Sequence, residues 1–366
     1  MYLKSLRLYN FRNFKELDTN FAKGINIFYG NNAQGKTNLL ESIFFLAGLR
    51  PLGSTPDIDL IRHNNDKAYA RGVFATRTGN VDREVTIFSN KRKIVKEGDI
   101  VKDKRSQLYG NISTVFFSPD DLSLVKGEPS KRRRFVDSIV CQTRPSYYKY
   151  LSGYYRVLSH RNKLLKSLKK NVSGAGLLDP WDEQLSEFGT RIVVERADLI
   201  KKIYETSLYF FNKFTKSDTQ LSIKYICCVD YGQPEKIKGF FLESLKECRK
   251  TDIMRTYTTF GPHRDDLMFL IGSRDAKAFA SQGQQRLLVL CLKFAQKEII
   301  NNESGEYPIL LLDDVMSELD ATKRELILKD EMQQVFLTTT DVNLIPRDIL
   351  KKGFVFYISD GELRLN

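Results

Sequence analysis

A two-domain α/β fold, in which a domain of mixed sheets is split in sequence by a helical insertion, is predicted by three observations. Strand-like alternation dominates the first third of the chain, a glycine-rich octapeptide joins a strand to a helix at residues 30–37, and helical periodicity occupies the middle before short apolar runs return. The expected division is 1–120 with 251–366 for the α/β domain, and 121–250 for an inserted α-helical domain.

The elements follow in order. Leu3, Leu6, Leu8 and Tyr9, then Ile25 to Tyr29, read as strands, and Asn38 to Leu49 as a helix. Ala68 to Ala75, Glu84 to Phe88 and Ser113 to Phe117 read as further strands, separated by turns at Thr78-Gly79-Asn80 and Ser89-Asn90; a small antiparallel sheet is expected there. Tyr147, Leu151, Tyr154, Tyr155 and Leu158 recur at helical spacing, as do Trp181, Leu185, Phe188, Ile192, Leu199 and Ile203. Asn171 to Gly176 and Asp179-Pro180 part them, which predicts two long antiparallel helices whose aromatic stripe packs a core. A helix after Ser281 and buried strands at Ile309 to Leu312, Val335 to Thr339 and Phe354 to Ile358 complete the layout.

The length supports a large core. Cys141, Cys227, Cys228, Cys248 and Cys291 are odd in number and lack CxxC spacing, so reduced thiols are expected and structural zinc is not. Met1 to Leu6 carries no signal-peptide core and no run approaches the ~20 apolar residues of a membrane span, so a cytoplasmic protein with no membrane partner is expected. The net charge of +13 is localised. Lys91 to Lys170 holds 20 of the 58 Lys and Arg against 7 of the 45 Asp and Glu, and the remainder is formally neutral. The densest pieces are Lys91-Arg92-Lys93, Lys102 with Lys104 and Arg105, Lys131-Arg132-Arg133-Arg134, and Arg161 through Lys170. Such an asymmetry points to a polyanion such as DNA, with Lys131, Arg132 and Arg133 first and Lys91, Arg92 and Lys93 next as phosphate contacts.

Gly30-Asn31-Asn32-Ala33-Gln34-Gly35-Lys36-Thr37 is a complete phosphate-binding loop, followed by Asn38 in the helix. The glycines let successive amides face one centre, Lys36 can reach the β and γ phosphates, and the Thr37 hydroxyl can ligate Mg2+; a nucleoside triphosphate with Mg2+ is expected. Ile309 to Leu312 ends in Asp313-Asp314, a buried strand that delivers carboxylates. Asp313 is expected to face the metal and Asp314 to orient or deprotonate water, with Glu318 as a rival base. Ser281 and Gly283 open a helix whose free amides favour an anion.

Ser281-Gln282-Gly283-Gln284-Gln285-Arg286 resembles the signature motif of the ATP-binding-cassette and SMC ATPases. Asn10-Phe11-Arg12-Asn13-Phe14, the loop at 30–41, Lys131 to Asp137, Gly261-Pro262-His263-Arg264-Asp265-Asp266 and Leu312 to Asp320 together resemble, in order along the whole chain, the RecF family of bacterial recombination mediators. The resemblance implies an SMC-like head without its coiled coil. It would bind ATP and DNA, dimerise with ATP and hydrolyse it slowly. With RecR and RecO it would load RecA at single-stranded gaps and junctions, serving repair, replication restart and SOS induction. By motif, Arg12 and Asn13 would lie at the nucleotide, Ser281, Gln282, Gly283, Gln284 and Arg286 would act on the partner's γ-phosphate, and Asp320 would stand in the dimer loop.

The sequence departs from the cassette pattern in three places. Asp314 stands where glutamate is common, Thr338-Thr339-Thr340-Asp341 replaces a switch histidine, and the Q-loop glutamine is unplaced, with Gln142 or the Phe117 to Asp120 turn as candidates. His263 reads as structural, having no nucleophile arranged around it. Besides an ATP-gated DNA switch, a small-molecule P-loop kinase and a non-enzymatic ATP-binding clamp remain open.

Overall fold

Alternating buried and exposed side chains along β1 (Tyr2–Phe11), β2 (Phe14–Asn20), β4 (Lys67–Thr76), β5 (Gly79–Phe88), β6 (Ile94–Glu97) and β7 (Ile100–Val101) build an antiparallel sheet of order β2-β1-β4-β5-β6-β7. Between its strands the chain makes β3 (Ile25–Tyr29) and α1 (Lys36–Leu46), and after them β8 (Thr114–Phe117). In this computed structural model residues 1–49, 56–102, 105–169, 172–215, 220–328 and 333–365 are described. They fall into two units, Met1–Asp121 with Gln296–Asn366, and Leu122–Ala295.

In the first unit β3 and β8 join a second sheet with β12 (Ile309–Asp313), β13 (Val335–Thr339), β14 (Phe354–Ser359) and β15 (Glu362–Leu365), in the order β15-β14-β3-β13-β12-β8. All its pairings are parallel except the terminal β14–β15 hairpin. Every residue of β8, β12 and β13 is buried, as a parallel sheet covered on both faces requires. Phe28 stacks on Phe336 and Phe356 at 6.0 and 5.1 Å, and Phe21 meets all three edge-on. Buried Arg83 on β5 donates to the Leu46 carbonyl at the end of α1 (2.8 Å) and to the Leu108 carbonyl (3.0 Å), with Glu97 as its counter-ion. It thereby ties the phosphate-loop helix to the antiparallel sheet. The short helices α9 (Ala321–Leu328) and α10 (Arg347–Lys352) complete this unit.

The second unit holds α2 (Ser123–Lys126), α3 (Pro129–Thr143), α4 (Tyr147–Leu168), α5 (Asp179–Thr215), α6 (Pro234–Arg255), α7 (Ala276–Phe279) and the first half of α8 (Gln282–Ser304). Proline opens α3 and α6 at the first turn, where its missing N–H costs nothing. A Cβ on Gly153 of α4 would meet Phe188 of α5, and Arg161 of α4 pairs with Asp182 of α5, so the two helices run antiparallel as expected. Tyr147, Tyr154 and Leu158 are buried as the periodicity requires, whereas Tyr155 is 43% exposed.

Two expectations change here. The unit extends to Ala295 rather than ending near residue 250. It is also not purely helical: β9 (Leu221–Ile226), β10 (Asp266–Ile271) and β11 (Arg274–Asp275) form a sheet in the order β11-β10-β9. The strand β9 has only two buried positions, Leu221 and Ile223, too few to announce a period-two pattern among long helices.

Its core is threaded by buried ion pairs. Arg161, fully buried, bonds Asp182 (2.7 Å), Asp252 (2.6 Å) and the Thr258 hydroxyl (2.9 Å). Arg196 grips both oxygens of Asp137 (2.8 and 2.9 Å) and the Pro262 carbonyl (2.7 Å), while the Tyr147 hydroxyl donates to the same carboxylate. His263 lies beneath: Nε2 is 3.1 Å from the Thr258 carbonyl and Nδ1 2.7 Å from the Tyr154 hydroxyl. A neutral ring, protonated on Nε2, satisfies both contacts, and burial pushes its pKa down to about 4.

Arg161→Ala leaves Asp252 buried without its cation, while Asp182 keeps Arg249, and is expected to cost about 3–5 kcal/mol in denaturant titration. The unfolded imidazole takes up a proton below about pH 6.5, whereas the folded one resists until about 4. Stability should therefore be full above 6.5 and fall by up to about 3 kcal/mol as pH drops to 4. His263→Gln, followed by the same titration, should flatten that dependence.

Candidate functional site

The phosphate loop forms where β3 ends, because two glycines remove side chains that the chain itself could not accommodate. A Cβ on Gly30 would stand 2.2 Å from the Ile358 carbonyl oxygen, and one on Gly35, at φ 110°, would stand 2.4 Å from the Asn13 amide. The loop is pinned from two sides. Asn13 donates to the Gln34 carbonyl (2.8 Å) and accepts from the Asn38 amide (2.9 Å); the backbone N–H of Asp360 donates to the Gln34 side chain (2.6 Å) and that of Gly361 to its carbonyl (3.2 Å). Asn31 and Asn32 are exposed, and Ala33 holds a left-handed φ of 64°. Arg12 is committed to Glu41 (3.0 and 3.1 Å) and the Asp59 carbonyl (2.9 Å), so it braces α1.

Lys36 is buried and donates to the Gly30 and Asn31 carbonyls at 2.6 and 2.7 Å. Burial lowers its pKa, against the opposing pull of Asp314 and Asp313. Across the sheet, β13 separates β3 from β12 by two strand spacings, ~10 Å in all. Thr37 bridges that gap: its hydroxyl lies 2.8 and 3.0 Å from the two oxygens of Asp313. From β13, Thr338 donates to the same carboxylate (2.7 Å) and accepts from the Asp314 backbone N–H (3.0 Å). Burial nevertheless raises the Asp313 pKa. A half-desolvated carboxylate facing a hydroxyl fits a hard divalent cation, and Thr37 with Asp313 would hold Mg2+.

Asp314 adopts a left-handed φ of 50°, a conformation uncommon outside glycine, which turns the chain at the carboxyl edge of β12. Val315–Glu318 then forms a short turn; the Ser317 and Glu318 side chains lie outside the described residues, so the rival base has no geometry here. Exposed Asp320 accepts from the Lys323 N–H (3.0 Å) and pairs with the Lys323 ammonium (2.6 Å), which lowers its pKa as it starts α9.

At the start of α8, Ser281 and Gln284 cap each other: the Ser281 N–H donates to the Gln284 side chain (2.9 Å) and the Gln284 N–H to the Ser281 hydroxyl (3.3 Å). Ser281, Gln282, Gly283, Gln284 and Arg286 are exposed, whereas Gln285 is buried against the Ala276 carbonyl. A Cβ on Gly283 would meet nothing nearer than 4.0 Å.

The basic motifs divide. Arg132 is buried, pairs with Asp266 (2.6 and 3.0 Å) and donates to the Leu124 and Gly127 carbonyls, so its guanidinium is spent within the fold rather than presented as the expected DNA contact. Arg133 donates to the Asp265 carbonyl (2.6 Å) and Lys93 pairs with Asp57 (3.0 Å), so both are largely spent within the fold. Lys91 stands over the Phe88 ring, and Lys91 and Arg92 are exposed, while Lys131 is half-buried. Lys104, Lys170 and the Arg105 side chain lie outside the described residues. The Lys131–Asp137 and Gly261–Asp266 motifs thus encode one buried ion network. Gln142 is buried in α3 with its amide on the Ser138 carbonyl (3.3 Å). Cys227, Cys228 and Asp265 bring ligand atoms within 4.8 Å of one another. Asp265 is already taken by the Tyr225 hydroxyl (2.5 Å) and lies 3.6 Å from Arg196, a poor setting for a cation. Thr338 enters the sequence reading only as part of the stretch that replaces a switch histidine; its grip on Asp313 is not foreseen there, and its position on the strand beside β12, opposite Asp313, is the available signal.

The parallel sheet, phosphate loop and carboxylate edge define an ATPase head of the ABC/SMC type. The family model described as the RecF/RecN/SMC N-terminal domain matches residues 2–347. A DNA replication and repair protein RecF of Natranaerobius thermophilus is 39% identical, with 100% of this chain and 99% of that protein covered, and that of Alkaliphilus oremlandii is 39% identical with 99% and 100% covered. A solved structure of the recombination mediator protein RecF with ATP, from the RecFOR pathway, is 34% identical, has a TM-score of 0.93 and covers 100% of this chain and 97% of its own. An SMC head bound to a winged-helix domain of ScpA shares the fold at 15% identity and a TM-score of 0.54. The chain belongs to the RecF family.

Thr338→Val removes the donor to Asp313 and is expected to weaken magnesium-dependent ATP binding by about tenfold, the loss of one hydrogen bond to a buried charge. Calorimetric titration with and without Mg2+ should show the magnesium-free affinity unchanged.

Proposed function

We propose that this chain is an ATP-dependent DNA-binding protein of recombinational repair, in which nucleotide joins two copies and slow hydrolysis releases them. The observation that carries the reading is the Thr37–Asp313–Thr338 contact beside the pinned phosphate loop, in a chain alike over its full length to RecF proteins. Residues 30–38 would cradle the triphosphate and Lys36 would turn from the loop carbonyls to the β and γ phosphates. Bound Mg2+ would neutralise phosphate charge. Asp314, its backbone held by Thr338 at the strand edge, would orient water, with Glu318 as the rival base, and its short side chain would suit slow turnover.

A second copy would account for the glycine at position 283, which its surroundings among the described residues do not require. The space around it is open, and although the Ser281 and Gln284 amides are used in the reciprocal cap, the first turn of α8 is exposed to an anion from outside. Ser281, Gln282, Gly283, Gln284 and Arg286 would cap the partner's γ-phosphate, with Asp320 in the adjoining contact. RecO and RecR are the proposed partners, acting on gapped and junction DNA so that RecA is loaded and repair, restart and SOS induction follow, in the bacterial cytoplasm. A small-molecule kinase has no use for such an exposed signature helix.

Gly283→Ala should fold normally and bind ATP with unchanged affinity, yet weaken ATP-dependent dimerisation at least about tenfold in a sedimentation-velocity concentration series, a change that needs only about 1.4 kcal/mol. Undiminished dimerisation would remove the trans-capping role. Lys36→Arg should keep much of its ATP binding and lose stable DNA complexes, read by gel shift with gapped DNA.

A further inference from the structure

The cations of α4 divide by face. Arg161 points inward and is consumed by Asp182 and Asp252. Lys149, Arg156 and Lys163 are exposed at seven-residue intervals, which places them in one line along the helix, ~10.5 Å apart. Exposed His160 and Ser167 share that line, and Ser152, Ser159 and Lys166 lie beside it. The helix contains no Asp or Glu over its 22 residues. Among the described residues, none of Lys149, Arg156, Lys163 and Lys166 makes an ion pair, in contrast to the neighbouring Arg144, Arg161 and Arg196.

We infer that this face of α4 is the surface that takes the sugar-phosphate backbone of duplex DNA, an inference that rests on the DNA-binding reading above and locates it. The composition decides among polyanions. A membrane-surface helix inserts an apolar face, but the apolar residues of α4 are turned into its own core, with Tyr155 the one large exception. A protein interface is centred on aromatic and apolar side chains and is poor in lysine, the reverse of this stripe. Lysine, arginine and serine side chains without base-reading geometry are what phosphate positioning uses. Laid across a major groove ~12 Å wide, cations ~10.5 Å apart reach the phosphate ridges on its two sides.

The test is binding of the full chain with ATP to plain duplex and to gapped DNA over a salt series, for the wild type, for Lys149→Ala/Arg156→Ala/Lys163→Ala, and for Lys91→Ala/Arg92→Ala. The α4 triple variant should lose at least about tenfold in affinity at ~0.1 M salt, and its log-log salt slope should shrink by about 2.7, or 0.9 for each lost phosphate contact. Its ATP affinity and far-ultraviolet dichroism should match the wild type, since all three side chains are exposed. A full-strength slope in the α4 variant, or a loss confined to Lys91→Ala/Arg92→Ala, would overturn the assignment while leaving DNA binding intact. A wild type that binds no DNA with ATP would overturn the assignment and the reading beneath it. Equal loss of binding to anionic vesicles, with DNA unaffected, would assign the stripe to lipid instead.

Discussion

Two threonine hydroxyls hold one buried carboxylate, and the nucleotide side of the fold is arranged around that grip. Asp313 ends a strand buried on both faces, where an aspartate would ordinarily be too costly. Thr37 approaches it from the first turn of α1 and Thr338 from the adjacent strand β13. The parallel order β3-β13-β12 is what lets both arrive, since it sets the loop strand and the carboxylate strand two spacings apart with a donor-bearing strand between them. Loop, carboxylate and the turned backbone of Asp314 are therefore joined by one chain of hydrogen bonds.

The other unit is organised by ions as well, but for order rather than for ligands. Arg132, Arg161 and Arg196 each satisfy carboxylates inside the unit, and His263 stays neutral beneath them. Such pairs add little net stability, yet breaking one is severe, so they fix how α3, α4, α5 and β10 meet. A surplus of basic residues in the sequence was therefore serving two ends. Part of it is internal scaffolding, and part, on the outer face of α4, has no counter-ion among the described residues.

Where sequence reading succeeded, local chemistry determines structure. The glycines at 30 and 35 cannot be other residues without collision, four consecutive apolar residues before Asp313 admit only a buried strand, and Ser281 with Gln284 writes its own helix cap. Where it failed, the deciding partner is remote in the chain. Arg132 looks like its neighbours Lys131 and Arg133 until Asp266, 134 positions away, is brought against it. Thr338 carries no motif and becomes a site residue only through strand pairing. The sheet of β9, β10 and β11 is hidden similarly, because its strands are short and its hydrogen bonds cross α6 in sequence.

A nucleotide site finished by the signature helix of a second copy is tested most directly by mixing two crippled chains. A Lys36→Ala chain keeps its signature and a Ser281→Arg chain keeps its phosphate loop, so each is expected to be inactive alone. Together they can form one intact composite site. Steady-state phosphate release on gapped DNA should therefore be restored on mixing to about a quarter of the wild-type rate if subunits pair at random and sites act independently. A mixture no more active than the two chains measured separately would contradict the account.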